Sequence, residues 1–345
     1  STSIMKNILF IMNPISGTQS KAGIPEVIEK KLDKTAFSYS IAYTERPGHA
    51  TEMALRAAAQ GIDIVVAVGG DGTVNEVGRG LLGTRTAMAI LPCGSGNGLA
   101  RHLMLPMNAG KAVEIINYDE VHDLDYGLIN GHPFFCTCGM GFDAFISMKF
   151  AEAGKRGPIT YVEKVLKDGL SYKPETYEIE DESGKKLVKA FLLTCANASQ
   201  YGNNVFIAPQ ASMSDGLLDV IVIKPFDIIE APQVALELFN KTIDMNTKVQ
   251  TFKARNIHVH RAMPGLIHFD GDPLMTDADV NISVVHKGIK VVVNPYANKA
   301  ERKPNAVQTA FSEMFCDMDM IRETIIRKAR QMQSINKTLM RRLHI

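Results

Sequence analysis

Several features are scarce or absent in this 345-residue chain, and each absence excludes a class of protein. Tryptophan is absent, and the five cysteines are scattered without a CxxC pair. That pattern argues against a zinc site or a disulfide framework and fits a reducing cytoplasm. The formal net charge is only +1, so no overall positive field favours a nucleic-acid partner. The nine histidines form no HxxxH or HExxH pattern, so we assign none of them to catalysis or metal binding.

Long apolar runs are missing as well. The first apolar stretch, IMKNILFIMNP, is too short to span a membrane and has no small-residue cleavage site. It predicts a buried strand rather than a signal, and we therefore expect a cytoplasmic protein. The length of the chain predicts about two domains of ~150 residues each.

Strand-like and helix-like segments alternate over residues 1–127, which predicts an α/β domain built on a parallel sheet. Strand-like segments at short spacing then predict an antiparallel β-sandwich over residues 128–295, with helical inserts near 159–170 and 230–241. Residues 296–345 predict a basic helical tail. We expect this tail to pack on the body or on a second copy in a homodimer, although such a helix can also lie on an anionic membrane.

Three glycine-rich turns follow predicted strands, and they are the strongest functional signal in the chain. Their sequences are NPISG, VGGDGTVNEV and LPCGSGNGLAR. Glycine allows another group to approach the backbone closely, and amides at the carboxyl ends of parallel strands bind phosphate. The three turns together therefore predict a nucleotide-phosphate site. No GxxxxGK[ST] occurs and no GxGxxG follows the first strand, so the site is neither a P-loop nor a dinucleotide fingerprint.

The turns also carry a family resemblance. Together with YTERPGHATEMA, NGHPFFCTCGMGFDA, SDGLLDV and HFDGDP, they resemble the successive motifs of the diacylglycerol kinase catalytic family over roughly residues 7–295. The resemblance implies a nucleotide domain similar to that of phosphofructokinases and NAD kinases, followed by a β-sandwich. It also implies a lipid kinase that takes ATP in the cleft between the domains and phosphorylates a lipid hydroxyl at a membrane surface. GSGNGLA is closer to the sphingosine-kinase form, so diacylglycerol and a sphingoid base both stay open as acceptors.

The resemblance also implies the binding residues. By motif matching, the ATP contacts fall at Asn13, Thr44, Gly69, Gly70, Asp71, Gly72, Thr73, Asn75, Glu76, Gly94, Ser95 and Asn97. A Mg²⁺ site is implied at the Asp215 carboxylate and the backbone carbonyls of Leu218 and Val220, with Asp125 networked to it. One carboxylate with two carbonyls suits the preference of magnesium for oxygen ligands.

Transfer of a phosphoryl group to an alcohol needs a base for the hydroxyl proton. Asp272 in HFDGDP stands where the family usually has a glutamate, which is one methylene longer. We favour Asp272 as the base and Asp71 as the essential partner for metal and substrate, and the reverse assignment stays open. Asp143 in GFDAF either faces an amino headgroup or caps a helix.

Two other functions are compatible with a GGDG turn. An NAD kinase shares that turn and the two-domain plan, but the second half has no TGSTAY-like segment. A non-catalytic nucleotide-binding regulator is the alternative from a different class, since aspartate replaces glutamate at the base position. The complete acidic set of Asp71, Asp125 and Asp215 argues against a regulator.

Overall fold

The computed structural model of the protein describes residues 4–15, 21–145, 169 and 172–297. In the first part of the chain, strands alternate with helices. In order, these elements are β1 (Lys6–Met12), α1 (Ile24–Lys31), β2 (Phe37–Tyr43), α2 (His49–Ala59), β3 (Ile64–Gly69), α3 (Asp71–Leu81), β4 (Ala87–Pro92), α4 (Gly98–His102) and α5 (Ala109–Ile116).

Strands dominate the second part of the chain. They are β5 (Val121–Ile129), β6 (His132–Phe134), β7 (Thr137–Gly141), β8 (Glu175–Asp181), β9 (Gly184–Ala190), β10 (Leu192–Ala196), β11 (Leu218–Ile223), β12 (Val249–Ala254), β13 (Asn256–Arg261), β14 (Gly265–Phe269), β15 (Asp272–Thr276) and β16 (Asp279–Val292). One helix, α6 (Ala231–Asn240), lies between β11 and β12, where the sequence predicted a helical insert. The other predicted insert lies almost entirely outside the described residues, and so does the basic tail from residue 298 onward.

The first part forms three layers around a parallel sheet of order β2-β1-β3-β4. Every residue of β3 and β4 is buried, which explains their continuous apolar sequences, since a parallel sheet is covered on both faces. Val65 and Ala67 pack against α2 and α3 on one face. Val66 and Val68 pack against α1 and α5 on the other face. This arrangement confirms the predicted α/β domain.

The second part is a sandwich. Its six-stranded sheet has the order β12-β11-β10-β7-β14-β15, and each of these neighbouring pairs is antiparallel. Met140, Leu193 and Val220 on its inner face share a buried core with Ile179 and Val259 of the facing sheet. The predicted antiparallel β-sandwich is thereby confirmed.

A single strand, β16, joins the two parts. Its first residues pair antiparallel with β13 of the sandwich, and near its end Val291 pairs parallel with Met88 of β4. β5 runs antiparallel beside it, with a bulge between Val285 and Ile289. The parallel sheet therefore continues into the sandwich as one ten-stranded sheet. Among the described helices, none combines the length and the apolar character needed to cross a membrane.

Candidate active site

The three glycine-rich turns lie at one edge of the parallel sheet. β1, β3 and β4 are adjacent and parallel, so their carboxyl ends point the same way. At that edge the Asn13 amide donates to the Val68 carbonyl at 3.4 Å, and the Cys93 amide donates to the Gly69 carbonyl at 2.9 Å. The geometry therefore groups the turns at the edge where open α/β sheets bind ligands.

The second and third turns touch through their glycines. A Cβ on Gly94 would lie 2.5 Å from the Gly70 Cα, so only glycine allows this approach. Asn97 holds the turn: its side chain accepts from the Gly94 amide at 2.9 Å and donates to the Gly94 carbonyl at 2.7 Å. Asp71 then reaches across, and its Oδ1 accepts a hydrogen bond from the Gly98 amide at 2.7 Å. The two turns form one backbone-lined surface that suits a phosphate.

The other predicted ATP contacts surround this surface to different extents. Thr44 is buried at the end of β2, where its amide donates to the Met12 carbonyl at 2.9 Å. Ser95 and Gly72 are exposed, and Thr73 is buried beneath Gly69. These positions are compatible with nucleotide contact.

The first turn is described only in part. Asn13 accepts a hydrogen bond from the Ile15 amide at 3.0 Å through its Oδ1, and residues 16–20 lie outside the described chain. The Lys21 ammonium donates to the backbone carbonyl of Asn13, and desolvation lowers the pKa of Lys21. Lys21 therefore brings a positive charge to the edge of the sheet where phosphate is expected to bind. The sequence analysis did not include Lys21 among the ATP contacts.

Two of the predicted ATP contacts make structural hydrogen bonds instead of lining the turns. Glu76 accepts from the Gly48 amide at the start of α2 at 3.0 Å. Asn75 is 1% exposed and donates to Asp270 Oδ2 at 2.7 Å and to the Pro133 carbonyl at 3.1 Å. Its Oδ1 has no hydrogen-bond partner within the described residues. Asn75 thus connects the nucleotide domain to the sandwich.

The carboxylate of Asp270 is the shared acceptor in that connection. Its Oδ2 accepts from Asn75 and from the Phe135 amide at 2.8 Å. Its Oδ1 accepts from the Cys136 amide at 2.7 Å and the Thr137 amide at 3.2 Å. Four donors therefore converge on one buried carboxylate. Sequence analysis missed this role, although Asp-Gly between two strands is a recognisable signal for a tight hairpin.

The hairpin turn presents Asp272. Asp270 and Gly271 have φ values of 49° and 91°, and Phe269 pairs with Asp272 across the turn. Positive φ at both positions is the geometry of a two-residue hairpin, in which glycine is favoured. Asp272 is exposed at the start of β15, one residue beyond the anchored turn. The anchored Asp270 therefore fixes where the Asp272 side chain begins.

The carboxylates of this region influence one another. Desolvation and the nearby Asp270 charge raise the pKa of Asp71 to about 6, although the Gly98 hydrogen bond opposes the shift. Desolvation raises the pKa of Asp270, and desolvation together with Asp270 raises the pKa of Asp272. The pKa of the buried Cys136 thiol also lies well above its ordinary value, through desolvation and then through Asp270 and Asp71. A cluster of acids with raised pKa values is typical of a catalytic site.

Comparison with known proteins agrees with this geometry. Residues 7–129 match the diacylglycerol kinase catalytic domain, and residues 137–293 match the YegS C-terminal NAD kinase beta sandwich-like domain. A diacylglycerol kinase of Bacillus subtilis is 30% identical over 278 residues, covering 78% of this chain and 90% of the relative. The chain belongs to the diacylglycerol kinase catalytic domain family.

Further relatives of this kinase have the same plan. A diacylglycerol kinase of Staphylococcus saprophyticus is 29% identical over 77% of this chain and 89% of the relative. A crystal structure of a diacylglycerol kinase from Bacillus anthracis superposes with a TM-score of 0.66 at 23% identity, covering 86% of this chain and all of that chain. The first similarity supports the family and the second supports the fold. Membership makes the protein an ATP-dependent kinase.

The predicted metal residues do not form a ready-made cation site in this kinase. Asp125 is fully buried, and its two oxygens accept from the Gly216 amide at 2.7 Å, the Lys287 amide at 2.8 Å and His286 Nδ1 at 2.7 Å. Asp125 thereby fixes the backbone of β16 at the bulge between Val285 and Ile289. Val220 pairs with strands on both sides.

A lysine lies where the predicted cation would have to bind. Lys253 Nζ is 3.0 Å from Asp215 Oδ2 and 2.7 Å from Asp219 Oδ1. Within the described part of the chain, no group of three or more His, Cys, Asp or Glu is arranged to hold a metal ion. Desolvation raises the pKa of Asp219, and the ammonium opposes that rise. In this structure the Lys253 ammonium balances Asp215 and Asp219, and we derive no catalytic step from a resident metal there.

This arrangement predicts the response of the Lys253→Met variant to magnesium. Removing the ammonium leaves Asp215 and Asp219 without a counter-ion, and we expect the free energy of unfolding to fall by about 1 kcal/mol. Added Mg²⁺ should restore this loss in the variant and should leave wild-type protein unchanged. Thermal unfolding without nucleotide, with Mg²⁺ or with a chelator, measures both effects.

Lys290→Met is the matched control, because Lys290 makes a comparable exposed ion pair with Asp123 on the ten-stranded sheet. Magnesium should not stabilise that variant. Stabilisation of the wild-type protein by Mg²⁺ that disappears in Asp215→Asn would instead show a metal bound at Asp215.

Proposed function

We propose that this kinase transfers the γ-phosphoryl group of ATP to the hydroxyl of a lipid, either diacylglycerol or a sphingoid base. The observation that carries the proposal is the hydrogen bond from Asn75, on the helix that begins at Asp71, to Asp270 of the Asp270–Asp272 hairpin. A group that can accept a proton thus lies beside a surface that suits phosphates. Relatives named diacylglycerol kinase favour that acceptor.

Each part of the site has a role in this reaction. Backbone amides of the Gly69–Gly72 turn and of residues 95–97 bind the ATP phosphates, and Asp71 keeps the two turns together through Gly98. Asp272 removes the proton from the attacking hydroxyl. Its raised pKa makes it a better proton acceptor than an ordinary aspartate, because general-base catalysis improves as the pKa approaches the working pH.

In this proposal Mg²⁺ binds to the protein together with ATP. Bound to ATP, Mg²⁺ neutralises charge on the phosphates during transfer. The ammonium of Lys253 already balances Asp215 and Asp219, so we assign the cation to the MgATP complex rather than to those residues.

An apolar surface for a lipid lies near the proposed base. The rings of Phe142 and Phe191 are 4.4 Å apart, and those of Phe191 and Phe226 are 4.7 Å apart. Both Phe191 and Phe226 are only partly buried. The residue after Phe142 contacts His268, two positions before Asp270. These aromatic side chains support an acyl chain approaching the Asp272 hairpin.

The proposed function is tested with γ-labelled ATP and Mg²⁺, and with diacylglycerol, sphinganine, ceramide or NAD as acceptor in mixed micelles. The Asp71→Asn protein is the blank. Label in a lipid that is absent from the blank supports a lipid kinase and identifies the acceptor. Label in NAD alone would make the chain an NAD kinase, and ATP binding without any transfer would make it a nucleotide-binding regulator.

The Asp272→Glu variant tests the base. It restores the side-chain length usual in the family, so we expect turnover to stay within about threefold of wild type or to rise, because the carboxylate moves one bond toward the acceptor. The initial rate of lipid phosphorylation measures this effect. Asp277→Glu, at an exposed aspartate beyond the end of β15, is the matched control and should leave the rate unchanged. A loss of about tenfold or more in Asp272→Glu alone would contradict the role of Asp272.

A further inference from the structure

A buried hydrogen-bonded path runs across β10, β7 and β14 of the six-stranded sheet, on the face opposite the sandwich core. His268 and Asp143 are 2% and 5% exposed, and His268 Nε2 bonds to Asp143 Oδ2. Thr194, fully buried on β10, donates to the same oxygen at 3.1 Å. Tyr201 OH lies 3.1 Å from the Thr194 hydroxyl. At the other end the Gly271 amide donates to His268 Nδ1 at a longer 3.4 Å.

In each hydrogen bond of this path, only one of the two groups can be the donor. An ionised Asp143 can only accept, so Thr194 Oγ1 and His268 Nε2 both donate to it. The single proton of Thr194 is then used, and Tyr201 must donate to Thr194. A neutral His268 with its proton on Nε2 has an acceptor at Nδ1, which is what the Gly271 amide requires. The surroundings therefore fix the imidazole in one tautomer.

The two ends of the path lie at the two halves of the proposed site. Gly271 is the central residue of the hairpin that presents Asp272. Tyr201 and Gly202 contact the third glycine-rich turn: a Cβ on Gly98 would lie 3.1 Å from the Tyr201 carbonyl, and the Asn203 amide donates to the Gly96 carbonyl at 2.9 Å. The path thus connects the phosphate-binding surface to the base.

We propose that Asp143 and His268 are positioning residues that hold the Asp270–Asp272 hairpin in register with the phosphate-binding turns. This inference rests on the proposed function, because it assigns these residues to the same site. It also gives Asp143 a further role beside the two expected from the sequence, because its Oδ2 accepts from Thr194 and bonds to His268. The path acts on the backbone of the hairpin rather than on the substrate.

Gly139 provides independent support for this role. A Cβ at that position would lie 2.2 Å from Asp143 Oδ2 and 2.6 Å from the Leu193 carbonyl. Only glycine leaves room for the carboxylate where His268 and Thr194 meet it. The sequence around Asp143 is thus built to place a charge in the interior, which is costly unless every oxygen is hydrogen-bonded.

Two substitutions, one at His268 and one at Asp143, separate the two contacts of His268. The His268→Gln variant keeps an N–H that can donate to Asp143 and loses the acceptor for Gly271. The Asp143→Asn variant keeps an oxygen that can accept from His268 and Thr194 and removes only the charge. We expect His268→Gln to lower kcat about 10- to 100-fold, since ångström displacements of a catalytic group have effects of that size. Asp143→Asn should lower kcat as well, but less than His268→Gln does, because its oxygen still accepts from His268.

The readout that identifies positioning is the contrast between kcat and nucleotide binding. In His268→Gln the KM for ATP, the Kd for ATP and the melting temperature should stay near wild type while kcat falls. His286→Gln is the matched control, because His286 also bonds to a buried aspartate but lies at the β16 bulge. It should leave kcat unchanged. A kcat that falls only in proportion to lost folded protein, in both variants, would overturn the proposal.

A second measurement does not depend on turnover. In protein labelled with ¹⁵N-histidine, NMR should show a neutral imidazole protonated on Nε2 that disappears in His268→Gln. A proton on Nδ1 would contradict the donated Gly271 hydrogen bond and overturn the path. If wild-type protein phosphorylates none of the lipids, the proposed function fails, and the tautomer still decides whether the path exists.

Discussion

Replacing Asp71 with asparagine should lower lipid phosphorylation at least about 100-fold, the scale expected when a charged catalytic group is removed. In the wild-type protein kcat/KM should rise with pH through about 6, where Asp71 loses its proton. Well below that value each pH unit should reduce the rate about tenfold, because the fraction of enzyme with an ionised Asp71, the active form in this proposal, falls about tenfold. The pH profile of the free enzyme, measured as kcat/KM, tests this expectation.

Ionisation of Asp71 should lower the stability of the folded protein, although it raises the activity. The folded pKa of Asp71, about 6, lies above the ordinary value of 3.8, so between these values the folded state binds more protons than the unfolded state. Stability contributed by Asp71 is therefore present below about pH 4 and is lost as pH rises to about 6. Asp71→Asn should remove this slope and should not lower the melting temperature at pH 7. An inactive variant that also unfolds much more easily would show a structural role instead.

The pH profile also separates the two assignments of the base. If Asp71 is the base, the limb near pH 6 reports the proton acceptor itself and Asp272→Glu leaves it in place. If Asp272 is the base, Asp272→Glu moves a limb of the profile while the dependence on Asp71 persists. The measurement that distinguishes them is the profile of both single variants under one set of conditions.

The phosphate-binding turns could be predicted from the sequence because their chemistry is local. Gly69, Gly70 and Gly94 each follow an apolar strand, and the strands are parallel neighbours in the structure. The family motifs added the order of the two domains. Contact between the turns then follows from the absence of side chains at Gly70 and Gly94.

The roles of Asp270 and Lys253 could not be predicted in this way, because both depend on contacts between distant parts of the chain. Asn75 and Asp270 are 195 positions apart, and Phe135 and Asp270 are 135 positions apart. Lys253 reaches Asp215 only because β12 pairs with β11. The sequence showed an Asp-Gly turn and an ordinary strand lysine, and neither pattern carries information about its partner. β16 joins the two sheets by the same kind of long-range pairing.

The Asp270→Asn substitution should have the largest effect on stability. Four N–H donors point at the two oxygens of Asp270, and an asparagine of the same shape offers only one oxygen. Whichever way the amide is turned, its NH₂ group faces two donors that lose their acceptor. At about 1–3 kcal/mol for each unsatisfied buried donor, we expect the free energy of unfolding to fall by about 3 kcal/mol. Denaturant unfolding measures this change.

Asp279→Asn is the matched control. Asp279 is 58% exposed on β16 and bonds to exposed histidines, so its replacement should leave the free energy of unfolding essentially unchanged. Turnover should fall in Asp270→Asn even below its melting temperature, because the hairpin that carries Asp272 loses two of its four attachments. A variant as stable and as active as wild type would mean that Asp270 is protonated in the folded state, since a carboxylic acid already presents one donor to these amides. The raised pKa of Asp270 makes low pH the condition in which the two proteins should converge.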